Sequence, residues 1–274
     1  MLAVRCFAPA DAADWTVLQG DAPQAVATAR GKVVGAIFLR TRSIDWIVAR
    51  ILDYTRVVRA LVGWARAEVG SPLWASTFSR TFTDPREMAY RDLGFRTVAT
   101  LVHVGHSIAG HGAARDVELG LELVPHGEMD PAAFQLLFAA ALDGTANQLA
   151  RGGDSAAQLS ELRTDTRLWA AVHRRGRGVG VIMPRVDAST GIGTMDFVGV
   201  VAAERGAGLG RRLHRLGLAR LAAAGATEYR DMTDAGNRAM RRVFATNGCR
   251  MLGFEHRYRW ERRGHAGTTT SIGG

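Results

Sequence analysis

Hydrophobic positions along this chain fall into two spacings, and the switches between them lay out the elements. Period-two runs predict strands at LAVRCFA (2–8), LWASTF (73–78), RTVATLVHV (96–104), VELGLELV (117–124), GTMDFVGVV (193–201), EYRDM (228–232) and CRMLGFEHRYRW (249–260). Two hairpins are predicted. One turns at Gly31 inside AVATARGKVVGAIFLR (25–40). The other turns at RRGRG between LWAAVH (168–173) and VGVIMP (179–184). Helical spacing or helix-end signals predict helices at 11–19, 57–69, 84–95, 131–142, 155–162, 208–225 and 237–248. Pro131 stands at the favoured first helical position, Asp154 is placed to cap the next helix, and Gly94, Gly144 and Gly248 stand where helices stop. HSIAGHGAAR (106–115) has no period and reads as a linker, and the Gly/Thr/Ser tail reads as a mobile end.

The order of elements repeats. YRDLG (90–94) aligns with FATNG (244–248) at an offset of 248 − 94 = 154, and the hairpin turns GKVVG (31–35) and GRGVG (176–180) align at 176 − 31 = 145. The second copy therefore holds 154 − 145 = 9 more residues between hairpin and last helix. This predicts an α/β protein of two tandem domains, 1–110 and 116–262, with a tail at 263–274. Each domain is expected to be a mixed, twisted sheet flanked by helices.

Composition narrows the class. The 274 residues suit two domains and can bury a full core without staples. Two cysteines, Cys6 and Cys249, cannot build a disulfide framework or a cysteine-based zinc site. The first residues lack a basic stretch followed by an apolar run, and no apolar run reaches membrane-spanning length, so a cytoplasmic protein without membrane association is expected. The net charge is +9, with 35 Lys+Arg against 26 Asp+Glu, and the only lysine is Lys32. Arginine for lysine beside abundant Ala, Gly and Val reflects GC-rich coding as much as function. No basic run or tail points to nucleic acid. His103, His106 and His111 flank the linker with no acidic partner nearby in sequence, so no metal is expected.

The strongest local signal is RGAGLG (205–210), set between a strand and a helix. Its glycines allow close backbone approach, and the amides of a helix start favour phosphate. Arg205, Arg211 and Arg212 add charge. The Lys-Ser/Thr of a P-loop and the acidic residue of a dinucleotide fold are missing. The loop's charge therefore points to a phosphorylated cofactor, not to nucleic acid.

With this loop the chain resembles the GNAT superfamily of acyl-CoA-dependent N-acyltransferases, whose pyrophosphate loop reads Arg/Gln-x-x-Gly-x-Gly/Ala. Arg205, Gly208 and Gly210 fit it, and Val200 holds the hydrophobic strand position five residues upstream. A second family motif, Asn-x-x-(small/apolar)-x-x-x-Tyr-x-x-x-Gly-Phe, is matched by Asn237, Phe244 and Gly248. The resemblance spans about 117–260. The first half matches only at Gly94 and Phe95 and by element order, giving an arrangement like that of mycothiol synthase with one degenerate copy.

The resemblance implies two tandem GNAT-like domains and acetyl-CoA or another acyl-CoA as cosubstrate. It implies cofactor contacts from Val198, Gly199, Val200, Arg205, Gly206, Ala207, Gly208, Leu209, Gly210, Arg211, Asn237 and Phe244. The implied reaction is direct attack of a small-molecule or peptide amine on the thioester in a ternary complex, with no metal; it sets no oligomeric state. An acyl-CoA-binding sensor or scaffold is the alternative.

Two departures stand out. Phe244 occupies the place of the family tyrosine that protonates the leaving thiolate, and Cys249 replaces the phenylalanine of Gly-Phe. Either another group supplies the proton, with Tyr229 and Tyr258 as candidates, or the thiolate leaves unaided, as a thiol of pKa near ~8.5 allows. Asp196, in an otherwise apolar strand and 205 − 196 = 9 residues before the loop arginine, is the candidate base or amine anchor; pairing with Arg185 is the structural alternative.

Overall fold

A computed structural model describes residues 2–6, 25–30, 32–40, 42–49, 54–80, 84–109, 120–145, 155–162 and 165–262. The expected helix at 11–19 and the Asp154 cap lie outside these residues. The chain divides into two compact units, Met1–Thr100 with Phe254–Gly274, and Leu101–Gly253. This division differs from one at residues 110–116, because the final strand of each half is built into the other unit.

The first unit contains β1 (Leu2–Cys6), β2 (Ala25–Ala29), β3 (Lys32–Arg40), β4 (Ser43–Ala49), α1 (Tyr54–Val69), β5 (Leu73–Ser79) and α2 (Pro85–Asp92). β1 through β4 pair antiparallel in sequence order. β4 pairs with β5 in parallel at Ser43↔Trp74 and Ile44↔Ala75. β5 then pairs antiparallel with the end of β12 (Arg250–Trp260), Leu73 facing Trp260. α1 buries Val57, Val58, Leu61, Val62 and Ala65 against Ile37, Ile44 and Ile47 of the sheet. β4 was missed in the sequence because SIDWIVA breaks strict alternation with two adjacent apolar pairs.

The second unit takes in the end of β6 (Arg96–Ser107), then β7 (Glu122–Pro125), α3 (Pro131–Leu142), α4 (Ser155–Leu162), β8 (Ala170–Arg174), β9 (Arg177–Val186), β10 (Ile192–Val200), α5 (Leu209–Ala223), β11 (Glu228–Asp234) and α6 (Arg238–Thr246). β7–β8–β9–β10 pair antiparallel, β10 pairs with β11 in parallel, and β11 pairs antiparallel with β6. Each unit is thus a mixed sheet flanked by helices.

Two expectations are corrected. β6 runs through Ser107, into the segment read as linker, because Tyr229 and Glu228 offer it paired backbone at His106 and Ser107. Of the strand expected at 117–124, residues 117–119 lie outside the described residues; Gly120 turns the chain with φ +59°, and the strand runs from Glu122.

α3 and α5 sandwich the β9–β10 hairpin. Phe134, Phe138 and Ala141 of α3 meet Val181, Met183 and Phe197 in one cluster. On the opposite face α5 packs so closely that a Cβ on Gly180 would lie 2.6 Å from Leu213 and 2.3 Å from the Gly199 carbonyl oxygen. Asp130 caps α3 by accepting from the Ala133 amide at 2.9 Å.

Candidate functional site

The site is assembled where β10 ends. Pairing of β10 with β9 slips between Met195 and Phe197, so Asp196 is the extra residue of a β-bulge. The bulge reverses the alternation. Met195 lies against Gly217 of α5, whereas Phe197, two residues on, joins the α3 cluster. The parallel ladder to β11 covers only Ile192↔Glu228 and Gly193↔Tyr229, and residues 194–200 continue past it. The two strands part there and leave a splay.

Beyond Val200 the chain makes one tight turn (Ala202–Glu204) and enters the glycine loop. Gly206 and Gly208 have φ of +86° and +76°, and a Cβ at either would meet nothing within 4 Å. Gly208 is the N-cap of α5 without a capping side chain, so exposed backbone at the start of a 15-residue helix faces open space. Gly206, Ala207, Gly208 and Arg211 are exposed, Gly210 and Arg212 half-buried, and Leu209 anchors the helix in the core. This arrangement fits a pyrophosphate.

Arg205 is used differently from a phosphate ligand. Its Nε donates to the Val200 carbonyl at 2.8 Å, and Nη2 donates to the carbonyls of Ala141 at 3.1 Å and Asp143 at 2.6 Å. The guanidinium ties the loop to the C-terminal end of α3, satisfying carbonyls that the helix leaves open. Val198 is half-exposed, while Gly199 and Val200 are buried, with the Val200 carbonyl taken by that arginine. Asn237 caps α6 by accepting from the Met240 amide at 3.1 Å and donates to Thr233 Oγ1.

Asp196 is held by Arg185, whose Nε lies 3.2 Å from both carboxylate oxygens. Burial pushes its carboxyl up against the lowering pull of that guanidinium. Phe244 is 2 % exposed and lies edge-on to His214 at 5.4 Å. Tyr258 lies in the core of the first unit, where it packs on Tyr90, so it is not part of this site. Tyr229 is: its ring centroid lies 6.5 Å from that of Phe244.

The sequence reading missed a buried polar chain behind the splay. Asn247 Nδ2 donates to the Arg211 carbonyl and lies 2.9 Å from His214 Nδ1. His214 Nε2 lies 3.0 Å from Tyr229 Oη, which donates to Asp231 Oδ2 at 2.6 Å. Because Tyr229 spends its proton on Asp231, it accepts from His214 Nε2–H, and Nδ1 accepts from Asn247. Burial pushes His214 down to about 3 and the Tyr229 hydroxyl well up. Asp231 Oδ2 also accepts from the Met195 amide at 3.2 Å, and Oδ1 accepts from the Met232 amide at 2.7 Å. The signal was present as Tyr229, Asp231 and Thr233, a period-two polar face on a strand that packs against helices.

No family model matches the chain, and no curated protein matches it. Solved structures do. A GCN5-related N-acetyltransferase from Sphaerobacter thermophilus superposes with a TM-score of 0.60 at 17% identity, over 95% of both chains. A tandem GNAT protein from the clavulanic acid biosynthesis pathway gives 0.52 at 18% identity, over 86% of this chain and 82% of its own. A GNAT-family acetyltransferase from Colwellia psychrerythraea gives 0.54 at 12% identity, over 95% and 100%. This chain has the GNAT fold. Within it, the splay, the bulge at Asp196 and the glycine loop lie together along β10 and at its end. Among the described residues no group of three His, Cys, Asp or Glu could hold a metal ion, and no helix is long and apolar enough to cross a membrane.

Proposed function

We propose that the chain transfers an acyl group, acetyl in the simplest case, from acyl-CoA to an amine. The observation that carries this reading is the open glycine loop at the start of α5, set directly beyond the splayed end of β10. Amides from Gly206 to Arg211, with the exposed Arg211, hold the pyrophosphate; Arg205 holds the loop in shape from behind. The unpaired edge of β10 at Val198–Val200 receives the pantetheine arm. Acyl-CoA supplies an activated carbonyl. The amine's lone pair forms the N–C bond, the C–S bond breaks, and the proton that leaves nitrogen ends on sulfur. Asp196, fixed by Arg185 at the bulge, anchors the amine or takes its proton. The acceptor is a small-molecule or peptide amine, and the protein acts without a metal in the cytoplasm.

We infer that the two sequence halves, 1–110 and 116–262, are tandem GNAT-like repeats descended from one duplicated unit, the first degenerate, and that each of the two compact units takes its closing strand from the other half. Two things support this. Both lay down the series antiparallel hairpin, antiparallel third strand, helix, parallel strand, helix, and antiparallel closing strand. Both last helices end on a glycine with nearly equal φ, +81° at Gly94 and +82° at Gly248.

Release of CoA thiol from acetyl-CoA with a panel of polyamines, amino acids, aminoglycosides and peptide N-termini tests the activity. Amine-dependent release with at least one class is expected. Acetyl-CoA binding with no release across the panel contradicts acyl transfer and favours a sensor.

A further inference from the structure

The polar chain behind the splay has a direction and ends on a carboxylate at the fork. Its three links run Asn247, His214, Tyr229, Asp231, each a donor to the next. His214 and Tyr229 are fully buried, at 0 % exposure, and Asp231 is half-buried. Three of the four lone-pair positions on the Asp231 carboxylate are filled, by Tyr229, Met195 and Met232. The fourth, on Oδ1, has no partner among the described residues.

One of those contacts also defines where the carboxylate sits. The Met195 amide lies two residues beyond the last ladder pair, Gly193↔Tyr229, and the Asp231 side chain accepts it at Oδ2 where β11 backbone no longer does. The carboxylate therefore lies in the fork of the splay. It lies on the same side as Phe244, whose ring packs on both His214 and Tyr229.

Resting on the acyl-transfer reading, we propose that Asp231 is the proton-handling group of this site and stands in for the hydroxyl that Phe244 lacks. It takes the proton given up by nitrogen as the N–C bond forms, becoming the neutral acid, and Asp196 is left the role of amine anchor. It returns that proton to sulfur as the C–S bond breaks, so the carboxylate is restored at the end of each turnover. Tyr229, His214 and Asn247 are positioning residues: they aim the carboxylate and set its basicity. Tyr229 itself cannot reach a substrate, since it is fully buried with its proton committed to Asp231.

The surroundings suit the task. Burial pushes the Asp231 carboxyl up to about 6, against the lowering pull of Tyr229 and of the Met232 and Met195 amides; Asp196 on β10 raises it further. A carboxyl near working pH both accepts and donates a proton readily. The other groups facing it are Cys249, at the foot of β12, whose thiol burial pushes up to about 12, and Tyr229 on β11. His214 on α5 lies one link away, and His106 on β6, opposite Tyr229, acts on His214. Arg185 on β9 is engaged by Asp196, and Val104 of β6 faces Asp231 without charge.

Carboxyl-carbon NMR of the full chain, titrated with and without ligand, tests the assignment. In the free protein one aspartate is expected to titrate near pH 6; the signal disappears in Asp231→Asn and moves to higher pH in Tyr229→Phe, which loses a donor. CoA is expected to move that titration, and desulfo-CoA, lacking the thiol, is expected to leave it in place. In turnover, Asp231→Asn is expected to lose about 10²-fold or more in kcat with acetyl-CoA affinity within about threefold. In Tyr229→Phe the acid limb of the kcat/KM profile should move with the NMR titration. Titration near 4 that ignores Tyr229→Phe overturns the proposal, as do equal shifts with CoA and desulfo-CoA. Wild-type protein that gives no heat with acetyl-CoA overturns the acyl-transfer reading itself. Heat with an indifferent Asp231 overturns only the proton-handling role.

Discussion

At the fork of its parallel ladder, each unit carries three residues at matching positions, and they could hardly differ more. The offset of 154 places Ala75, Thr77 and Tyr90 of the first unit opposite Tyr229, Asp231 and Phe244 of the second. In the first, Tyr90 is packed by Phe95 and Tyr258 at 5.3 and 5.1 Å, and the buried Thr77 side chain meets Glu87 at 3.5 Å and Tyr258. In the second, the hydroxyl has moved from helix to strand, and a carboxylate occupies the place of the threonine. Both forks keep the same two-pair parallel ladder. The scaffold is therefore indifferent to what fills the fork, and the chemistry is set by a handful of side chains laid upon it.

If the second unit's fork is a working site, its buried groups should carry a cost that the first lacks, visible as acid sensitivity. His214 is lowered to about 3 from 6.5. As pH falls below about 6.5 the unfolded chain takes up a proton that the native chain refuses, and stability falls by about 1.4 kcal/mol per pH unit until about pH 3. Asp231 is raised to about 6 from 3.8. There the native chain takes the proton first, so stability is gained as pH falls from about 6 to about 4. The two offset one another across that window in the wild type. In Asp231→Asn the offset is gone, and urea denaturation should show stability falling about 3 kcal/mol more than wild type between pH 6 and 4. Parallel pH profiles for the two proteins would contradict the assignment of these groups.

A smaller effect concerns the loop. Arg205→Ala removes three hydrogen bonds to backbone carbonyls of β10 and α3. A loss of about 2 kcal/mol is expected in chemical denaturation, with acetyl-CoA affinity falling about tenfold because the loop is no longer held. Unchanged stability would mean that this clasp is ornamental. Unchanged stability with lost affinity would return Arg205 to the role of a direct phosphate contact.

Much of this was legible in the chain. Pro131–Leu142 and Ser155–Leu162 were read to the residue, because a proline start and a clean polar-to-apolar change fix their limits. The glycine loop was legible as the turn between strand and helix, because its glycines fall where the backbone takes positive φ. What was not legible depends on partners far apart in sequence. The exchange of closing strands could not be seen, since β6 and β12 carry equally good strand patterns and nothing local says which neighbour each will find. Arg205 reads as a phosphate ligand by motif, yet its guanidinium is occupied by carbonyls more than sixty residues away. His214 reads as one polar residue on an amphipathic helix. Only Tyr229 and Asn247 together show why it is buried.

The central claim, that the loop at 205–210 holds the phosphates of CoA, is most directly tested by titration calorimetry of acetyl-CoA against wild type, Gly208→Ala and Gly208→Glu. Both variants carry the same backbone strain at φ +76°; only glutamate adds bulk and negative charge at the loop. One-to-one binding is expected in the wild type, retained within about fivefold in Gly208→Ala and weakened by at least about 10²-fold, roughly 2.7 kcal/mol, in Gly208→Glu. Absence of binding by the wild type, or equal affinity in Gly208→Glu, would contradict the account.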